Sequence, residues 1–225
     1  MRTPHLQQAA IHGLGMTSQA TRNKLVARLR AKGISDERVL QAIAKVPRHL
    51  YVDEALSSRA YEDTALPIGS GQTISQPYIV ALMTAELLKN GIPEKVLEVG
   101  TGSGYQAAVL AQLVPTVFSV ERIDKLLREA RRKFHRTGQR NIYTRHADGR
   151  LGWPTQAPFD AIILTAAGTQ LEEDLLDQLA DGASLIAPLG DAGMQRLVKY
   201  TRTGDDYQRE ELCDVSFVPL LSGLS

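Results

Sequence analysis

The sequence predicts an α/β protein whose mostly parallel, seven-stranded sheet carries helices on both faces. Three observations lead there. From Lys95 onward, short apolar runs of strand length alternate with helical patterns, as in strands linked by crossover helices. One of those strands, at 95–99, runs through a glycine-rich turn straight into a helix. Near the C-terminus, runs at 196–201 and 213–218 flank the turn Thr203-Gly204-Asp205-Asp206, which suggests antiparallel strands at one edge.

Composition narrows the class. The chain has 225 residues, 43% hydrophobic and 23% charged, enough for one α/β domain with a short extension. Its 26 Lys and Arg against 25 Asp and Glu leave a net charge of +1, so no overall field favours nucleic acid or a membrane. The single cysteine, Cys213, excludes an intrachain disulfide and a cysteine-rich zinc site. No run approaches the ~18 apolar residues that span a bilayer, and the first residues lack a continuous apolar signal region. The expectation is a soluble, cytoplasmic monomer without a metal site.

The elements follow in order. Residues 1–20 show neither helical nor strand periodicity and read as a loosely held arm; residues 21–225 read as a single domain, with N-terminal helices and a loop over 21–90 and the core over 91–225. A helix begins at Thr21, with Leu25, Val26 and Leu29 on one face, Arg22, Lys24, Arg28 and Arg30 opposite, and Gly33 as its stop. Ser35 is placed to cap a second helix striped by Val39, Leu40, Ile43 and Val46 and ended by Pro47. Residues 62–76 form a loop with Pro67, Gly69 and Gly71, and a loop that long in a compact domain is more often functional than idle. Residues 77–88 are apolar almost all round, as expected of a buried helix. Strands follow at 95–99, 116–120, 142–146, 161–165 and 184–188, the last after an Asp181-Gly182 turn. Helices are expected at 104–113, 124–136 and 171–180.

The stretch Val96-Leu97-Glu98-Val99-Gly100-Thr101-Gly102-Ser103-Gly104-Tyr105 is the most informative. Its glycines let the backbone turn sharply and let a ligand lie against it without a Cβ in the way. Glu121, 21 residues after Gly100, ends the next strand, where a carboxylate can accept both ribose hydroxyl protons of a nucleotide. Tyr105 stands where a dinucleotide fingerprint needs its third glycine, and no Gly-Lys-Ser/Thr ending marks a phosphate loop. A carboxylate at Glu98 repels an anion and suits a cation, so adenosine carrying a sulfonium and an amino group fits better than a pyrophosphate. Asp148-Gly149 follows the third strand. It reads either as a common turn pair or as a contact to the adenine amino group.

Gly71-Gln72-Thr73-Ile74-Ser75-Gln76-Pro77, the glycine turn from Glu98 to Tyr105, Ala147-Asp148-Gly149 and Phe217-Val218-Pro219-Leu220 together closely resemble the protein-L-isoaspartate O-methyltransferase family, over about residues 33–221. The resemblance implies a Rossmann-like methyltransferase fold that uses S-adenosylmethionine and yields S-adenosylhomocysteine. It implies methylation of the free α-carboxylate of L-isoaspartyl residues in damaged proteins and peptides, the first step of their repair. By motif matching, Gly100, Thr101, Gly102, Ser103 and Gly104 would hold the methionine part of the cofactor, with Glu98 nearby; Glu121 would hold the ribose, and Asp148 and Gly149 would lie near the adenine. Gln72, Thr73, Ile74 and Ser75 would meet the substrate, with Ser75 as the active-site residue.

Chemistry agrees with such a role. A peptide α-carboxylate has a pKa of about 3.5, so it is ionised at pH 7 and needs no general base. What remains is to desolvate it and aim one oxygen. Ser75 precedes a helix with Pro77 in its first turn, and a helix N-terminus beside a hydroxyl is an anion site. On the residues alone, a plain helix cap is the preferred reading of Ser75, and the family resemblance reverses it.

Other signals carry less. G-x-S-x-G does not occur, which argues against a serine hydrolase, and the five histidines show no metal-ligand spacing. Residues 122–145 hold nine basic residues against Asp124 and Glu129. With no interleaved aromatic platform, a solvated helix face is the preferred reading, and no nucleic-acid partner is expected. Two alternatives remain: a methyltransferase acting on another carboxylate or on RNA, and a non-catalytic S-adenosylmethionine-binding protein.

Overall fold

The computed structural model describes residues 13, 15–191 and 193–225, so most of the expected N-terminal arm lies outside the described residues. A single turn of 3-10 helix at Gly15–Thr17 leads into α1 (Gln19–Ala31), which begins slightly before the expected Thr21. Leu25 and Leu29 are buried as expected, but Arg22 is buried with them, although the periodicity set it on the solvent face. Gly33, at φ 99°, stops the helix. The cap of α2 (Glu37–Lys45) is Asp36, whose carboxylate accepts the Arg38 amide at 2.9 Å, in place of the expected Ser35. A carboxylate one residue later reaches the first-turn amides and complements the helix dipole.

The expected loop over 62–76 is largely a hairpin of β1 (Leu66–Gly69) and β2 (Gln72–Ile74), with Leu66 opposite Ile74. Its turn uses Gly69, Ser70 and Gly71, all at positive φ, which is why three small residues stand together there. α3 (Pro77–Leu87) follows with Pro77 in its first turn.

The main sheet contains β3 (Lys95–Val99), β4 (Thr116–Glu121), β5 (Ile142–His146), β6 (Phe159–Leu164), β7 (Leu179–Asp191), β8 (Met194–Thr203) and β9 (Asp206–Val215). Their order is β5-β4-β3-β6-β7-β8-β9, parallel from β5 to β7 and antiparallel for β8 and β9. Between strands lie α4 (Tyr105–Leu110), α5 (Asp124–Thr137) and α6 (Glu173–Leu176). Because side chains alternate along a strand, Val96 packs with α1 to α5 on one face while Leu97 and Val99 pack on the other. That second face is covered by Trp153, by Leu175 of α6 and by Leu220 of the C-terminal tail.

Several boundaries differ from expectation. The helix expected over 171–180 is only α6, because Leu179 already pairs with Phe159 at the start of β7. Asp181-Gly182 lies inside β7, where the pairing register shifts, instead of forming a separate turn. β9 starts directly at Asp206, its alternation hidden by the charged run Arg209-Glu210-Glu211 on an edge strand.

Candidate active site

Strands β4 and β5 lie to one side of β3, and β6 and β7 to the other, so the strand order reverses between β3 and β6. The splayed loops at such a switch point leave a crevice at the carboxyl ends of the strands. A cleft is found there, of about 780 Å³ including its open mouth. Gly100 to Ser103, Val120 to Ile123, Gly149, and Thr165 with Ala166 line one part of it. Gln72 to Ser75 line another, and Val218 to Leu221 close it from the C-terminal tail.

The glycine turn is held from below. The Gly100 amide donates to Val120 O at 2.9 Å, and Thr165 Oγ1 donates to Gly100 O at 2.5 Å. A Cβ on Gly100 would lie 2.5 Å from Thr165 Oγ1, so only glycine lets the two loops meet. Gly104, at φ 87°, turns the chain into α4, and a Cβ there would strike the Phe134 ring at 2.7 Å. It therefore packs the turn against α5 and does not line the cleft.

Glu121 lines the cleft and is buried. Its Oε2 accepts the Gly102 amide at 2.8 Å, and its Oε1 accepts the Ile123 amide at 2.9 Å. A carboxylate offers about four lone-pair sites, so two remain for a diol.

Glu98 is placed differently from the expectation. It is fully buried beneath the turn and does not line the cleft. Ser119 Oγ donates to Glu98 Oε2. The Ser119 and Thr101 hydroxyls lie 2.6 Å apart, within hydrogen-bond distance. Burial pushes the Glu98 carboxyl up to about 8, against the Ser119 hydrogen bond, with the nearby Glu121 charge adding to the rise. Glu98 is thus chiefly protonated at pH 7. In place of a carboxylate attracting a cation, it anchors a hydroxyl chain that ends at the cleft-lining Thr101.

Asp148 also lies off the cleft. Its two oxygens accept the Arg150 amide at 3.0 Å and the Gly223 amide at 2.7 Å, so it caps the short turn after β5 and ties down the C-terminal tail. Gly149 does line the cleft, and a Cβ on it would sit 2.6 Å from Val99 Cγ1.

Ser75 follows β2 directly, and its hydroxyl is bonded to no other described residue. The helix cap is Gln76, and the Tyr78 amide of α3 is taken at 2.8 Å by Asp63, from across the hairpin. The capping role considered for Ser75 is therefore filled by others, and part of the expected helix-terminus potential is spent on Asp63. Ile74 is buried, while Thr73 is exposed. The hairpin leans on the glycine turn: Ile68 Cδ1 lies 3.5 Å from the Cβ position of Gly102.

Sequence reasoning missed Thr165, Ala166 and Gln106 in the lining, and it gave the Phe217–Leu220 motif no place in the cleft. The tail reaches it by exchanging backbone hydrogen bonds with Ala167, whose amide donates to Val218 O at 2.8 Å and whose carbonyl accepts the Leu220 amide at 2.7 Å. The continuous apolar run Phe217 to Leu221 after β9 was the available signal.

A family-wide sequence profile described as Protein-L-isoaspartate(D-aspartate) O-methyltransferase matches residues 20–225. The protein-L-isoaspartate O-methyltransferase of Halorhodospira halophila is 61% identical over 211 residues, covering 94% of this chain and 96% of that one. That of Xanthomonas campestris pv. campestris is 57% identical over 224 residues, 99% of each chain. Among solved structures, a protein-L-isoaspartate O-methyltransferase superposes with a TM-score of 0.81 at 28% identity, covering 90% of this chain and 67% of that one. A Plasmodium falciparum chain described as a beta-aspartate methyltransferase in complex with S-adenosyl-L-homocysteine gives 0.76 at 27% identity, over 88% and 97%. The mostly parallel seven-stranded sheet is accordingly that of Rossmann-like S-adenosylmethionine-dependent methyltransferases. Match, fold and cleft converge, and the chain belongs to the protein-L-isoaspartate(D-aspartate) O-methyltransferase family, methylating isoaspartyl residues with S-adenosylmethionine in protein repair.

Proposed function

We propose how the cleft divides this work. The Gly100–Ser103 turn holds the methionine part of S-adenosylmethionine, Glu121 takes the ribose hydroxyls, and Gly149 lies along the adenine. Ser75 meets the isoaspartyl α-carboxylate. The observation that carries this reading is that one cleft is lined both by the glycine turn with Glu121 and by Gln72 to Ser75.

The residues fit the group. Gly100 and Gly149 let the backbone at the cleft lie against Thr165 and Val99 with no Cβ between, and Glu121 retains acceptor capacity at the carboxyl end of β4. The bound sulfonium supplies the methyl group and a neutral thioether as leaving group. The protein's part is positional: the free Ser75 hydroxyl donates to one carboxylate oxygen and orients the other. The tail from Val218 to Leu221 and buried Tyr105 exclude water from the same space, which strengthens that hydrogen bond. Glu98 and Gly104 support the turn from outside the cleft, and Asp148 fixes the tail. No residue needs to remove a proton, because the attacking group is already ionised.

A second, open groove shares Thr73 and Ser75 with the cleft and continues past Asp63 to Phe217. This supports an extended segment of a protein substrate passing over Ser75. We take the enzyme to be a cytoplasmic monomer acting on isoaspartyl proteins and peptides; among the described residues no helix is long and apolar enough to cross a membrane. Ser75→Ala tests the assignment: S-adenosylhomocysteine affinity should persist while isoaspartyl methylation falls by about tenfold or more. Unchanged turnover would reject Ser75 as the substrate contact.

A further inference from the structure

Arg48 is a fully buried cation directly behind Ser75. It sits on the single 3-10 turn Arg48–Leu50 after Pro47. Its Nε donates to Ala60 O at 2.8 Å, and its Nη2 donates to Ser75 O at 2.9 Å and to Thr64 O at 3.4 Å. The guanidinium lies 4.7 Å from the centroid of the Tyr105 ring, and Tyr105 lines the cleft. Arg48 Nη1 and the Tyr105 hydroxyl oxygen are both buried without a hydrogen-bond partner.

No described carboxylate lies within ion-pair distance of Arg48. The Tyr105 and Tyr61 hydroxyls support its charge from nearby and Asp63 does so less, since that carboxylate already holds Lys32 at 2.5 Å and the Tyr78 amide at 2.8 Å. A guanidinium stays protonated in proteins, so a full positive charge is buried here without a counter-ion. Tying three carbonyls together does not require a charge; a neutral amide donates to carbonyls without that desolvation cost. The cost is explained if the missing negative charge arrives from outside.

We infer that Arg48 is the positioning and charge-recognition residue for the substrate carboxylate: it fixes the Ser75 backbone, and its uncompensated field favours the ionised isoaspartyl peptide over the neutral methyl ester formed from it. This rests on the placement of the carboxylate at Ser75. Asp63 already quenches part of the α3 terminus, which leaves Arg48 as the stronger source of positive potential behind Ser75. Methylation removes the anion, so the same field that gathers substrate lets the product leave.

The test compares affinities of the S-adenosylhomocysteine-bound protein for one isoaspartyl peptide and for its methyl ester, in wild type, Arg48→Gln and Arg48→Lys. Wild type should prefer the carboxylate. Arg48→Gln should lose about tenfold or more for the carboxylate peptide and little for the ester, so the preference collapses. Arg48→Lys, which keeps the charge, should keep most of the preference even if its melting temperature drops. A purely structural Arg48 would weaken both peptides equally, and that result overturns the inference, as does an unchanged preference in Arg48→Gln. If Arg48→Gln no longer binds S-adenosylhomocysteine and has therefore unfolded, Arg48→Lys decides: lost preference with intact S-adenosylhomocysteine binding overturns it. Ser75→Ala in the same assay separates the two claims, since retained preference and retained turnover there would reject the site itself.

Discussion

Glu121, the last residue of β4, accepts a hydrogen bond at 2.8 Å from the Gly102 amide in the turn after the neighbouring strand β3. The carboxylate thereby sets the height of the turn and keeps its own remaining lone pairs at the edge of the cleft. Acidic residue and glycine turn are one unit, not two separate contacts.

Glu121→Gln keeps the shape but replaces one acceptor oxygen with a donor and removes the charge. A hydrogen bond to a charged group is worth about 1.5–3 kcal/mol, so S-adenosylhomocysteine should bind on the order of ten- to a hundredfold more weakly by calorimetry. Unaltered affinity would show that Glu121 serves the turn alone.

Glu98 makes stability depend on pH. Its folded pKa is raised to about 8 from the ordinary 4.5. The native state therefore holds this proton more tightly than the unfolded chain, and stability falls as pH rises from 4.5 toward 8. The contribution is fully present below 4.5 and gone above the folded value, a loss of about a few kcal/mol. Glu98→Gln mimics the protonated form and should flatten that slope in thermal melts between pH 5 and 8. Parallel profiles for the two proteins would contradict the assignment.

Gly104→Ala asks a left-handed position to carry a Cβ 2.7 Å from the Phe134 ring and 3.2 Å from Ala130 Cβ. A destabilisation of about 1–3 kcal/mol is expected by denaturant melts. Gly182→Ala, also at positive φ but with open space around it, should cost less, which separates the clash from the backbone strain.

β3 and β5 fall where the sequence places them, because each is a short run bounded by turn residues. The β1–β2 hairpin was hidden: its strands are too short for alternation to register, and its glycines read equally as a loop. α6 was overextended because Leu171 to Ala180 keeps a helical pattern that pairing with β6 overrides at Leu179. In the cleft lining, Gly100 and Glu121 were legible from spacing and motif, and Ser75 from the family resemblance. The burial of Glu98 was not, since a strand residue's face depends on what packs against it. Arg48 was invisible for the same reason: a lone arginine after Pro47 looks like surface until Ala60, Thr64 and Ser75 fold around it.

Methyl transfer from labelled S-adenosylmethionine to one short peptide, prepared with its aspartate in iso or in normal linkage, decides whether the cleft selects isoaspartyl carboxylates. Base-labile label is expected on the iso peptide only. Equal labelling of both, or of neither while the cofactor binds, would show that it does not.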